Sequence, residues 1–156
     1  MISRTCSYAI RATLYLAIQP KGGYVPVKRI ADTLGISFHF LTKILQTLTA
    51  EDILSSSRGP HGGVRLARGA SSIHMSEIVY AMDGRGIFET CVLGLERCGD
   101  DQPCPVHEKW AIVRGQIAAL FETTTLEKMA QQVERKGLRL ANIVLVDSAR
   151  TKGKAR

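Results

Sequence analysis

Three cysteines and a histidine crowd one short stretch of this 156-residue chain. Cys91, Cys98, Cys104 and His107 lie in CVLGLERCGDDQPCPVH, with the spacing C-x6-C-x5-C-x2-H. Thiolates are soft ligands for zinc and for iron–sulfur clusters, and an imidazole can complete such a set. Glycine and proline between the cysteines let a loop bring distant donors together. Cys104 and His107 are three apart across the predicted start of a helix, so both can face one site. A helix N-terminus lowers a thiol's pKa and disfavours a protonated histidine, which prepares both as ligands. Other chemistries fit the same residues. The three can be free thiols, two of them can form a redox-sensing disulfide, or all can hold structural zinc, although the tight C-x2-C pairs of zinc knuckles are absent. His107 can be a plain first-turn residue, with the fourth ligand elsewhere. Glu96, Asp100 and Asp101 read as a solubilising loop. Spacing alone does not separate zinc from iron–sulfur.

The elements that must position these residues come before and after them. At 45% hydrophobic the chain can bury a proper core. The formal charge is +7, unevenly spread. Residues 1–68 carry nine Lys/Arg against three Asp/Glu, residues 69–108 two against seven, and residues 109–156 ten against four. A basic first module followed by an acidic cysteine segment suggests that only part of the protein faces a polyanion. No apolar run is long enough to span a membrane. The start, MISRTCSYAIRATLYLAIQP, is interrupted by Arg11 and lacks a small-residue cleavage site, so it reads as a helix of a cytoplasmic protein rather than a leader. Cysteines in that compartment are usually reduced, which favours metal or redox chemistry over structural disulfides.

A first helix is predicted over residues 3–18, capped by Ser3, with Cys6 packed as a small apolar residue. Val27, Ile30, Ala31 and Leu34 then mark one face of a short helix, with Pro26 in its first turn and Gly35 ending it. Ser37 caps a second helix whose apolar face is Leu41, Ile44, Leu45 and Leu48. Two short helices about a glycine turn make a helix-turn-helix candidate. Ser37, His39, Phe40, Thr42 and Lys43 at the start of the second helix are candidate base and phosphate contacts. Lys28 and Arg29 sit where the first helix would cross a DNA backbone. ILSSSRGPHGGVRLA, residues 53–67, reads as strand, turn, strand, the wing of a winged helix. Its tip offers Ser57, Arg58, Gly59 and His61, and a single arginine there suits a narrow minor groove. A further short helix is predicted over residues 72–83.

After the cysteines a long helix runs from Pro105, at its first position, to about Phe121. Val106, Trp110, Val113, Ile117 and Leu120 follow a heptad-like seam, read as a homodimer contact through Trp110, Val113, Ile117 and Leu120. A shorter helix restarts near Thr123–Thr125 and ends near Lys136. LANIVLVD has no assigned structure, and ARTKGKAR is a basic tail. The predicted organisation is a winged helix-turn-helix over 1–83, a cysteine loop over 84–104, a dimerisation helix and a short helix over 105–138, and a tail over 139–156. The fold class is mainly α with a two-stranded wing.

These segments resemble the winged-helix Rrf-two family, which includes the IscR and NsrR repressors. The resemblance is carried by YAIRATLYLA, RIADTLGISFHFLTKILQTL, SSSRGPHGGVRLAR, EIVYAMDG and the three cysteines, from Met1 to about Phe121. It implies a homodimer on palindromic double-stranded DNA and a labile iron–sulfur cluster on Cys91, Cys98 and Cys104. His107 matches the histidine ligand of IscR-like members. NsrR-like members use an acidic residue in the first helix, where this chain has Ser7, a poor ligand. The Cys91–Cys98 interval is one residue longer than in IscR-like members.

The expectation is therefore a DNA-binding transcription regulator, a repressor, whose operator affinity follows an iron–sulfur cluster, 2Fe–2S favoured over 4Fe–4S. Iron–sulfur status, redox state or nitric oxide would be the signal. A cluster-free thiol switch and a zinc-stabilised interaction module are the alternatives. No nucleophile–base pair, phosphate loop or credible acid pair points to an enzyme.

Overall fold

The computed structural model describes residues 2–20, 22–96, 98–136 and 140. The basic tail, and all of LANIVLVD except Leu140, lie outside them. Helix α1 spans Arg4–Ala17, α2 Val27–Leu34 and α3 Phe38–Ala50. Strands β1, Leu54–Ser57, and β2, Gly63–Leu66, pair antiparallel with Leu54 opposite Leu66 and Ser57 opposite Gly63. A 3-10 turn at Ala70–Ser72 precedes α4, Met75–Asp83, and a short α5, Gly86–Glu89. After the cysteine loop come α6, His107–Thr123, and α7, Leu126–Lys136. This is a mainly helical winged helix with a two-stranded wing, as the sequence pattern implies.

Local chemistry sets the element ends. The Ser3 hydroxyl accepts from the Cys6 N–H at 3.0 Å and donates to Asp83 at the end of α4 at 2.5 Å. Gly35 ends α2 in the left-handed region, with φ 64° and ψ 37°. Arg11, the charge inside the apolar α1, donates to the carbonyl of Leu34 at 3.0 Å, so it closes the C-terminus of α2. Ser37 holds the N-cap position of α3 but makes no side-chain cap bond there. Pro26 likewise sits at the N-cap of α2 rather than within its first turn.

The core is one cluster. Ile30, Leu41, Ile44, Leu48, Ile53, Leu54, Ile73 and Ile78 are essentially sealed from water. Leu41, Ile44, Leu45 and Leu48 are the buried face of α3, as their spacing predicts. Cys6 is fully buried in this cluster, and burial, together with the charge of Asp83, pushes its thiol up to about 12. It is an inert packing residue, as read.

Two bridges hold the outer parts to the core. Val25 pairs with Val64 through N–H···O bonds of 2.9 and 3.0 Å, so the wing is anchored ahead of α2. A Cβ on Gly63 would stand 2.2 Å from the Val25 carbonyl oxygen, so only glycine fits this approach. The second bridge joins His74 to Thr125, with Met75 N–H donating to Thr124 and Leu126 N–H to Ile73. It fixes the α6–α7 corner against the start of α4.

Three further expectations are corrected. The long helix begins at His107, not Pro105, because Val106 takes the N-cap and Pro105 lies in the preceding turn. The helix predicted over 72–83 is a 3-10 turn followed by a helix from Met75, where Glu77 accepts from the His74 N–H at 2.7 Å and sets the start. The segment after Gly84 is not all loop, since α5 forms there and carries the chain to Cys91.

Candidate functional site

The cysteine loop is fastened at both ends to α6. On its N-terminal side, the indole N–H of Trp110 donates to the Thr90 carbonyl at 2.9 Å, and Arg114 donates to the Glu89 carbonyl at 3.2 Å. On its C-terminal side, the His107 N–H donates to the Cys104 carbonyl at 2.9 Å. Phe88 of α5 packs edge-on against both Tyr80 of α4 and Phe121 of α6, with centroids 5.3 and 5.7 Å apart. The residue before Cys91 is thus fixed to the helix that begins with His107.

Within the loop the four predicted ligands come together in pairs. Cys91 Sγ lies 3.8 Å from Cys104 Sγ, and Cys98 Sγ lies 3.6 Å from His107 Nδ1. Cys91 and His107 are buried, while Cys98 and Cys104 are half-exposed. The backbone N–H of Leu93, above all, draws the Cys91 thiol below its usual range; the Leu95 N–H and the Cys104 and Cys98 side chains add to this, and burial opposes it. Gly94, at φ 73°, makes the turn between Leu93 and Leu95, and its N–H donates to the Cys91 carbonyl at 3.0 Å. The support for a thiolate therefore falls on Cys91 and comes from the loop itself, where the sequence pointed to the helix end.

His107 Nε2–H donates to Asp100 Oδ1 at 3.0 Å. With Nε2 turned to Asp100, the other ring nitrogen, Nδ1, faces Cys98. Ser7 stands apart from this use: its hydroxyl donates to the Ser3 carbonyl at 3.1 Å within α1.

The donor set can be tested against a metal. Among the described residues, no three His, Cys, Asp or Glu side chains converge as a single ion requires. Two donors on one tetrahedral centre with bonds of ~2.3 Å stand about 3.8 Å apart, slightly less when one is nitrogen. Both observed pairs have that spacing. The Cys98 side chain also reaches Cys91, so the two pairs are linked, and three thiols with one imidazole form a donor set of the kind that iron–sulfur clusters and zinc take.

A second surface gathers the candidate nucleic-acid contacts. A cleft of about 570 Å³ opens between α2, α3 and the wing, lined by residues that include Lys28, Thr42, Ser57, Arg58 and Gly59. Those five were singled out from the sequence. Ser37, His39, Phe40, Lys43 and His61 are exposed but do not line it. Phe40 packs edge-on against Tyr8 of α1, with centroids 5.9 Å apart. Phe38 and Gln46 do line the cleft, and sequence reasoning passed over both. Phe38 continues the i, i+3, i+7 spacing of Leu41 and Leu45, so periodicity alone counts it as core.

On α6, the predicted seam divides. Ile117 is half-buried against the core and Trp110 is half-buried beside Thr90, while Val113 and Leu120 are exposed. Ile112, 64% exposed, joins Val113 and Leu120 on the outer face, with the exposed Gln116 between them.

Comparison with known proteins bears on both surfaces. Residues 2–132 match the family described as Rrf2, iron-dependent transcriptional regulator. A helix-turn-helix-type transcriptional regulator of Aquifex aeolicus is 32% identical over 137 residues, 86% of this chain and 94% of that protein. The regulator IscR of Photorhabdus laumondii is 31% identical over 127 residues, 81% of this chain and 77% of that protein. Among solved structures, CymR, the global cysteine regulator of B. subtilis, superposes with a TM-score of 0.74 at 27% identity, covering 84% of this chain and 96% of that one. IscR of T. potens shares the fold, with a TM-score of 0.70 at 24% identity over 89% of this chain and 92% of that one.

Proposed function

The chain belongs to the Rrf2 family of winged-helix transcriptional regulators, which are DNA-binding proteins and not enzymes, and on that premise we propose that it is a repressor whose operator affinity is set by an iron–sulfur cluster. Cys91, Cys98, Cys104 and His107 would hold the cluster. The observation that carries the reading is the pairing of donors, 3.8 Å between Cys91 and Cys104 and 3.6 Å between Cys98 and His107. It favours 2Fe–2S, in which each iron takes two protein ligands. When bound, such a cluster supplies a group that iron shortage, oxidants or nitric oxide can remove or modify.

The chain's own residues would carry that state to DNA. Asp100 holds the His107 ring with Nδ1 presented to the loop. Trp110 and Arg114 tie the residues just before Cys91 to α6. The outer face of α6, through Ile112, Val113 and Leu120, would meet a second copy, since a winged helix reads one half-site and a palindrome needs two. A change in the loop then shifts the start of α6 and the angle between two wings, a shift of population between binding and non-binding dimers. Half-sites would lie about one helical turn, ~34 Å, apart.

A second reading has an observation of its own. The 3.8 Å between Cys91 and Cys104 sulfurs closes to a disulfide of ~2.05 Å with a small loop movement, given a peroxide or disulfide oxidant. One sample decides between them. Protein purified without oxygen is examined by visible absorption, with iron, sulfide and zinc assayed together. Charge-transfer bands with equal iron and sulfide support the cluster. A colourless, metal-free protein that also fails to take up iron and sulfide supports the thiol switch, and stoichiometric zinc would contradict both.

A further inference from the structure

The aromatic ring of Phe38 has no place in the core, although its spacing says that it should. It is the first residue of α3, and 47% of its surface is exposed. The core face of the same helix begins one turn later, at Leu41, which is fully buried. Phe38 overhangs the cleft between α3 and the wing, in the company of Lys28, Thr42, Gln46 and Arg58. The His39 ring meets it edge to face, with centroids 5.6 Å apart, and props it from the outer side. Single exposed apolar residues are common on protein surfaces. This one differs in its setting, because the cleft that it overhangs sets cationic and polar side chains suited to a polyanion, Lys28, Thr42, Gln46 and Arg58, beside the apolar Pro26, Val27, Leu45 and Val64.

The major groove of DNA is itself almost wholly polar at the base edges. Its one apolar group is the C5-methyl of thymine. A helix that enters this groove by its N-terminal end brings its first residues nearest the bases. We infer that Phe38 is a specificity-determining residue that packs on a thymine methyl group in each half-site of the operator. The inference rests on the reading of α3 as the helix that enters the major groove. Thr42, one turn on, is kept from wandering by its bond to the Phe38 carbonyl at 2.8 Å, so the backbone under the ring is fixed before DNA arrives. Binding then covers apolar surface that is otherwise left in water, and the energy depends on one methyl group.

Deoxyuridine differs from thymidine only by that methyl, which makes the test direct. Full-length protein, with and without reconstituted iron and sulfide, is used to enrich preferred duplexes from a randomised pool. Each thymine of the enriched duplex is then replaced in turn by deoxyuridine and affinity is measured. Transfer of one methyl-sized group corresponds to about a fourfold change. The expected result is one thymine per half-site whose replacement weakens wild-type binding about fourfold, and about fifteenfold when both are replaced. Phe38→Ala should bind the thymine duplex more weakly and lose this sensitivity. Methyl sensitivity at no position, or equal sensitivity in Phe38→Ala, overturns the inference. The wild-type series needs no variant, so a folding defect in Phe38→Ala cannot mask the answer. Arg58→Ala separates the two layers of the argument. If it weakens binding while every uridine duplex binds normally, the cleft faces DNA and Phe38 is not a reader. If Arg58→Ala, Phe38→Ala and uridine are all without effect, the placement of α3 and the wing on DNA is wrong, and the inference falls with it.

Discussion

Asp100 Oδ1 accepts the Nε2–H of His107 at 3.0 Å, and by doing so turns the opposite ring nitrogen, Nδ1, toward the sulfur of Cys98. A buried imidazole is here held by a carboxylate that is itself fully exposed. Partners of this kind fix the tautomer and orientation of a ligand, and their loss typically costs 10–100-fold in metal affinity. Because Asp100 is open to solvent, the lower end applies. Asp100→Ala should release iron to a chelator about tenfold faster than wild type. Asp100→Asn, which keeps an acceptor, should recover most of the difference. Equal release from all three proteins would remove Asp100 from the site.

Trp110 links the loop to the long helix through one hydrogen bond, to the Thr90 carbonyl. Trp110→Phe keeps most of the ring and deletes the donor. An ordinary hydrogen bond contributes ~1 kcal/mol, so the melting temperature should fall by only a few degrees. The larger effect should be on coupling. Loaded and metal-stripped forms of the variant should bind operator with affinities much closer together than those of the wild type, measured by fluorescence anisotropy. A variant that keeps the full wild-type difference would show that the signal leaves the loop by another route.

Gly63 lies where the wing crosses the strand-like stretch at Val25. An added Cβ would strike the Val25 carbonyl at 2.2 Å and break the bridge to Val64. Gly63→Ala should therefore destabilise the protein by about 1–3 kcal/mol in chemical denaturation. It should weaken operator binding more than this loss explains, because Arg58 and Ser57 move with the wing. Unchanged operator affinity at a temperature where the variant is folded would count against the wing as a DNA contact.

The outer face of α6 carries Ile112, Val113 and Leu120, at 64%, 44% and 58% exposure. Leu120→Glu places a charge within the proposed dimer contact, where an unpaired buried charge is strongly unfavourable. Sedimentation should report a dimer for wild type and a monomer for the variant, with the melting transition little changed. A wild-type monomer at micromolar concentration would contradict the dimer.

Much of this fold is legible from spacing. The i, i+3, i+4, i+7 faces of α2 and α3 and the alternation in the wing follow from which side of each element meets the core. Gly35 and the cap bond of Ser3 to Cys6 are readable because both are local, whereas the bond of Ser3 to Asp83 is not. What the sequence hides depends on contacts between distant residues. Phe38 obeys the core periodicity of α3 yet lies past the edge of the core. Trp110 and Ile117 fit a heptad, but Ile117 packs on the chain's own core and the Trp110 indole is bonded to Thr90. Asp100 looks like one of several loop acids until the ring of His107 is placed beside it. The pairing of the four candidate ligands, too, is set by how the loop folds back rather than by their intervals along the chain.

The central claim is that operator affinity depends on what Cys91, Cys98, Cys104 and His107 hold. The most direct test is to titrate one enriched operator duplex, without oxygen, with iron–sulfide-reconstituted protein and with stripped protein, and to repeat both with Cys91→Ala. The account predicts at least a tenfold difference between the two wild-type forms, roughly the coupling free energy expected between linked sites, and no difference for Cys91→Ala. Equal affinity of the two wild-type forms would contradict it.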